Sequence, residues 1–431
     1  MSFKTTNNIS LIHLIFSCLI VLLYFVGFIF KEYVPGGSPE DFNAFVWKNI
    51  NSFKDNFYYS LMNYNEMADA NFPGFYIISS LNPFSHSVET FHLFSLIIGF
   101  LTFVVFGFLL SLNDNSNNKT ISFSLASLIL ILPFFITRNY WGTSGGLAWF
   151  IFILCLFHFQ TIKNKIENNV IVSLHNIFVL CLLTSILLYI RASYVFLALY
   201  IVLYFLLIVK KNKITIPVLL FYFICSLPGL YLIYMWNYST GDNINALKFI
   251  NFKNILLNFP LLSSYLTFYL FPILIVGIKF VTKKTFIKYL KIFSIFFIFY
   301  LFLLLLDKFE YLGSYNYGGG AILKLNYILI ENNYFLLLLS SLIGCCLLYA
   351  FLEKNFLENI ILIIPILLIY GLTNYPFQDY FEPLIIFLFF TGMIKCSFYS
   401  FFVKNKKIIF YIYSFYFISF LTASIYIKNF V

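Results

Sequence analysis

Runs of about 20 predominantly apolar residues recur from one end of the chain to the other, separated by polar connections. A helix of that length matches the ~30 Å hydrocarbon layer of a bilayer. Barrel strands are only about 10 residues long and alternate apolar with polar positions, which these runs do not. In lipid every backbone polar group must be paired internally, so helices are the form such runs can take. The pattern predicts an all-α polytopic membrane protein. Composition agrees: 61% of the 431 residues are hydrophobic and 10% are charged, against roughly 25% charged in an ordinary soluble domain.

Spans are expected near 10–30, 88–111, 120–137, 144–161, 170–190, 192–209, 214–236, 256–279, 290–306, 333–352, 357–374, 380–397 and 408–427. The expectation is about 11–13 transmembrane helices, with the pairs around 170–209 and 380–427 the least sharply marked. The first run, 10–30, is long enough to stay as a helix, and no small-residue cleavage site follows it. The seven cysteines all lie in or beside apolar runs, and none forms a CxxC. They read as small buried hydrophobes. Residues 1–431 read as a single transmembrane domain with no soluble domain appended.

Lysine distribution sets the expected orientation. With the N-terminus inside, the inner connections hold 17 of the 27 basic residues, mostly in short loops, and the outer ones hold 13 of the 17 acids. The net charge of +10 thus follows membrane topology and does not indicate a nucleic-acid partner. The connections are uneven. The first outer one, residues 31–87 (loop one), is 57 residues long. A later outer connection, 307–332, is rich in glycine. Polar residues gather on that side, so function is expected at the outer membrane–water boundary.

Loop one carries helical signals. Ser38-Pro39-Glu40-Asp41 is a helix start, with Ser at the N-cap, Pro in the first turn and acids near the positive end of the dipole. Phe42, Phe45, Val46, Asn49, Ile50 and Phe53 then recur at helical spacing. They predict an amphipathic helix lying on the outer leaflet. A second short surface helix is expected from Asn71-Phe72-Pro73-Gly74-Phe75-Tyr76. Glu40 and Asp41 have two readings: complements to the helix dipole, or carboxylates held at headgroup depth for proton transfer. Asp69 is the other candidate acid of the loop.

The chain has only two arginines among its 27 basic residues, Arg138 and Arg191, and both fall at predicted outer boundaries. Arginine binds phosphate oxygens through a planar fork that lysine lacks. One reading is therefore a phosphate contact, and the other is snorkelling beside interface aromatics. In the loop Tyr315-Asn316-Tyr317-Gly318-Gly319-Gly320-Ala321-Ile322-Leu323-Lys324, three glycines free the backbone to approach a ligand or to act as a gate. Lys324 is a further candidate for a phosphate. The five histidines are scattered without metal-ligand spacing, so no metal ligand set is proposed. No nucleotide-binding glycine motif is present, and no cofactor is expected.

Several segments resemble the membrane-embedded GT-C glycosyltransferases, which include protein O-mannosyltransferases, aminoarabinose transferases and oligosaccharyltransferases. Glu40-Asp41-Phe42 stands where those enzymes carry their first-loop acid. Asn71 to Tyr76 is similar to their aromatic-and-proline segment before the second span. Thr137 to Thr143 followed by Gly145-Gly146-Leu147-Ala148-Trp149 resembles their second outer loop and fourth span. Gln378-Asp379-Tyr380-Phe381-Glu382-Pro383 is similar to a late outer-loop motif of some bacterial members. The chain departs from the pattern in the second outer loop, where Ser144 and Gly145 stand in place of an acid.

The resemblance implies transfer of a sugar from a polyprenyl-phosphate-linked donor to a glycan, lipid or protein acceptor at the outer face. Asp41 would be the catalytic acid of choice, with Glu40 and Asp69 as alternates. Arg138, Arg191 and Lys324 would meet the phosphate, and Tyr317, Gly318, Gly319, Gly320, Tyr380 and Glu382 would form a substrate loop. Some members of the family need a divalent ion and others do not. Two other readings fit a many-span chain. One is an O-antigen-type polymerase or ligase, though these usually carry a large late outer loop with Arg and His. The other is a lipid-linked sugar flippase or other transporter, though no half-length repeat or mid-membrane charge is present.

Overall fold

The computed structural model describes residues 3–30, 38–67, 72–112, 119–236, 252–277, 282–305, 320–330, 334–373 and 378–430. Among them every regular element is helical. Nine of the described helices are long and apolar enough to cross a membrane, and one bent pair would make ten if its halves form a single span. Two further apolar helices, Leu174–Ile190 and Phe356–Gly371, are shorter. The chain is an all-α polytopic integral membrane protein. It divides into two compact units, one of residues 1–248 with 420–431 and one of residues 249–419.

The first unit begins with α1 (Phe3–Ile29). Loop one then folds as α2 (Ser38–Asp41), a π turn over Phe42–Val46, α3 (Trp47–Asp55), α4 (Phe57–Met62) and α5 (Gly74–Leu81). The expected amphipathic helix is present with one change. Phe42, Val46, Asn49, Ile50 and Phe53 are buried, but Phe45 is exposed. The wider π turn places position i+4 under Phe42 and swings position i+3 outward.

After loop one come α6 (Val88–Leu112), α7 (Lys119–Ser127), α8 (Pro133–Tyr140), α9 (Ser144–Glu167), α10 (Leu174–Ile190), α11 (Val195–Leu203) and α12 (Asn212–Met235). The span expected over 120–137 is broken, with the two halves at 71°. Pro133 explains the break. Its ring forces Leu132 into an extended conformation (φ −75, ψ 126), because the residue before proline is pushed out of the helical region. The break turns α8 away from α7 and so sets the direction in which Arg138 leaves the helix.

The second unit holds α13 (Phe252–Gly277), α14 (Lys283–Leu305), α15 (Gly320–Ile330), α16 (Phe335–Glu353), α17 (Phe356–Gly371), α18 (Leu384–Phe390) and α19 (Ser397–Lys404). The last helix, α20 (Lys406–Phe430), is divided between the two units. Helices α13 and α16 meet at small residues, as membrane helices do when close approach replaces hydrophobic drive. A Cβ on Gly344 would run into the Ser263 carbonyl. Beside it the hydroxyls of Ser263 and Ser341 bond at 2.6 Å, and Thr267 donates to the Ser340 carbonyl at 2.6 Å.

The span expected over 380–397 is not a continuous helix. Only the seven residues of α18 are helical, between a turn at Gln378–Tyr380 and a reversal at Gly392 (φ +70). The segment still runs the length of α17. At one end the Phe381 ring lies 4.8 Å from that of Tyr370. At the other end Asn359 donates to the Lys395 carbonyl at 3.0 Å. Residues 381–394 are all buried. A helix of seven residues extends only about 10 Å, and protein on all sides lets the non-helical remainder exist at membrane depth.

Candidate anion site at the start of helix α9

The two arginines stand 53 positions apart in sequence and come together in the fold. Arg138 leaves the last turn of α8, and Arg191 sits in extended backbone (φ −151, ψ 104) just past the end of α10. Both reach Gly145, in the first turn of α9. A Cβ there would lie 2.6 Å from Arg138 Cδ and 3.0 Å from Arg191 Nη1. Glycine is therefore what lets both side chains lie over the helix start. Arg191 is 9% exposed, so its guanidinium is largely withdrawn from water.

The connection between α8 and α9 is built to hold this arrangement. Gly142 (φ +62) supplies a left-handed turn, a conformation that costs glycine little. The Thr143 amide returns to the Arg138 carbonyl at 3.2 Å. Thr143 is the residue before α9, yet its side chain does not cap that helix. Its hydroxyl instead accepts from Arg138 Nη1 at 3.4 Å. Two guanidinium groups thus converge on the positive end of a 24-residue helix. Helix N-termini attract anions through unpaired N–H groups and the aligned dipole, and guanidinium adds charge-assisted, directional hydrogen bonds.

Loop one approaches the pair from two directions. Phe42, next to Asp41, packs against His92 (4.6 Å), Phe91 (6.2 Å) and Trp141 (6.2 Å), and Trp141 belongs to the α8–α9 connection. Later in the loop, Gly74 lies on the backbone of Tyr189, two residues before Arg191. Asp41 and Glu40 are both exposed. Asp69 lies outside the described residues. Desolvation lowers the ammonium of Lys54 in the same loop from its ordinary value, and the neighbouring Asp55 opposes the shift.

The remaining candidates belong to the second unit. Glu382 is fully buried and accepts from the Tyr269 hydroxyl at 2.6 Å. Gln378 donates to the same hydroxyl at 2.8 Å, and its carbonyl accepts from the Ala321 amide at 2.5 Å. That bond caps α15 where Gly320 (φ +74) begins it. Tyr380 stacks near Tyr370 at 5.7 Å. Gly320, Tyr380 and Glu382 are thus parts of one cluster, while Tyr317, Gly318 and Gly319 lie outside the described residues. Lys324 lies on α15, where desolvation lowers its ammonium from the ordinary lysine value. Among the described residues no group of three or more His, Cys, Asp or Glu is placed to hold a metal ion.

No protein-family model matches the chain, and no curated protein matches it. Three residues of the anion site carried little signal in the sequence. Gly145 registered as part of the Gly145–Trp149 resemblance and as a departure from an acid, although Gly-Gly at a helix start is itself a mark of close approach. Gly74 stood out only as part of the Asn71–Tyr76 segment and Tyr189 gave no local signal, because their contact is a pairing across more than 100 positions.

Proposed function

We propose that the chain is a membrane glycosyltransferase that moves a sugar from a polyprenyl-phosphate-linked donor to an acceptor on the outer face of the bacterial inner membrane. The convergence of Arg138 and Arg191 on the start of α9 supports this reading most directly. The chemistry needs such a site. As an acceptor hydroxyl attacks the anomeric carbon, the bond from that carbon to the phosphate oxygen breaks. The lipid phosphate takes the electron pair, and donors fixed in advance around it stabilise the charge that develops. A lipid tail that stays in the bilayer explains why the catalyst is a membrane protein.

Asp41 is assigned the acceptor proton. It stands at the head of the amphipathic segment, and Phe42 ties it to the α8–α9 connection. Glu40 and Asp69 are the alternates. Gly320, Tyr380 and Glu382 are assigned to a substrate loop of the second unit, and Lys324 remains a candidate for a phosphate. The test is transfer by purified protein supplied with a polyprenyl-phosphate-linked sugar. A general base contributes about 10²–10⁴-fold, so Asp41→Asn should lose transfer by at least about 10² while still binding the donor. Transfer above about a tenth of the wild-type rate, a smaller loss than that range allows, would make Asp41 a dipole complement only.

A further inference from the structure

Tyr189 is held by two elements besides its own. On one side Gly74, the first residue of α5, rests on its backbone. A Cβ there would lie 2.6 Å from the Tyr189 carbonyl oxygen and 2.8 Å from its Cβ, and the Phe72 ring meets the Tyr189 ring edge-on at 6.0 Å. On the other side the Tyr189 hydroxyl enters α12. It donates to the Cys225 carbonyl at 2.7 Å and accepts from the Gly229 amide at 3.0 Å. Those two groups are four residues apart, so in an unbroken helix they would bond to each other. Pro228, inside α12, disturbs the ladder at this turn, and the hydroxyl bridges the gap. Gly229 makes room, since a Cβ there would lie 2.8 Å from the Tyr189 ring.

We infer that Tyr189 is the positioning residue that fixes Arg191 over the start of α9. Only Ile190 separates them, and there the chain leaves the helix: Arg191 N still bonds to the Leu187 carbonyl at 2.8 Å, but its own backbone is extended. A residue at a helix exit has its direction set by what holds the last turn. Here the last turn is clamped between loop one and the interrupted ladder of α12. Without the hydroxyl, the Cys225 carbonyl and the Gly229 amide lose a shared partner, and the clamp loosens on the α12 side. Tyr189 touches no bound anion in this scheme; it acts through Arg191. The inference rests on the anion-site reading above.

The experiment measures binding of polyprenyl phosphate, and of the uncharged polyprenol of equal chain length, to the full-length protein in detergent or nanodiscs. Tyr189→Phe removes only the hydroxyl. The expected result is about tenfold weaker binding of polyprenyl phosphate, with polyprenol binding unchanged. Gly74→Ala, which lifts loop one off the Tyr189 backbone, should give the same selective loss. It serves as the second variant if Tyr189→Phe is poorly folded. Arg191→Lys separates the two levels of the argument. If Arg191→Lys loses phosphate binding while Tyr189→Phe and Gly74→Ala bind both lipids like wild type, the positioning role is overturned and the anion site stands. If Arg191→Lys also binds polyprenyl phosphate like wild type, the anion site itself is overturned. Equal loss of both lipids in Tyr189→Phe would mark a general structural role and also overturn the inference.

Discussion

Lysine in place of Arg191 keeps the charge and removes the fork. If the guanidinium meets two phosphate oxygens at once, an ammonium point charge cannot reproduce the contact, and Arg191→Lys should lose far more transfer activity than thermal stability. Gly145 gives a complementary forecast from the opposite direction. Gly145→Ala leaves both arginines in the chain but puts a methyl group 2.6 Å from Arg138 Cδ, so at least one guanidinium must move. Binding of polyprenyl phosphate should fall about tenfold, roughly 1.4 kcal/mol. Equal binding by wild type and Gly145→Ala, read by titration, would show that the arginines do not need their present places. The sequence marked these arginines as rare and placed both on one side of the membrane. It could not show that they meet, because their encounter depends on the bend at Pro133 and on how α10 ends.

Helices were the most legible feature, since a lipid-spanning run announces itself by length and apolarity alone. Legibility failed where an apolar run had a different solvent. Residues 380–397 are apolar because protein surrounds them, and a window of hydropathy cannot tell protein from lipid. Pro383 and Gly392 were the available warnings, as helix breakers near both ends of a seven-residue helix. Phe45 failed for a subtler reason, because a single π turn shifts helical phase by one position without leaving any compositional mark. Packing of elements yields its own forecast at Gly344. Gly344→Leu forces α16 away from the Ser263 backbone and from the Ser263–Ser341 bond. Overpacking of this kind costs about 1–3 kcal/mol, so the variant should unfold at lower temperature in detergent. An unchanged unfolding temperature would mean that the two helices have room to separate.

Orientation belongs to the molecule as a whole, and the lysine asymmetry makes it testable. Tyr58 in loop one is 70% exposed, and Glu167 at the far end of α9 is exposed as well. In intact cells an impermeant thiol reagent should label Tyr58→Cys and spare Glu167→Cys. The reverse result would put the arginine pair on the cytoplasmic side and remove the proposed reaction from the outer face. The burial of residues 381–394 has a consequence on a longer timescale. Where a helix faces lipid, its neighbours are fluid chains that fill any outline, so one bulky apolar residue serves nearly as well as another. Helices α12 and α14, with 11% of their spanning windows buried, should therefore drift freely among Leu, Ile, Phe and Val between descendants of a common ancestor. The stretch 381–394 is buried among protein side chains. In that stretch a change of shape is resisted as it is in the interior of a water-soluble protein, and lineages should keep these residues long after α12 and α14 have become unrecognisable.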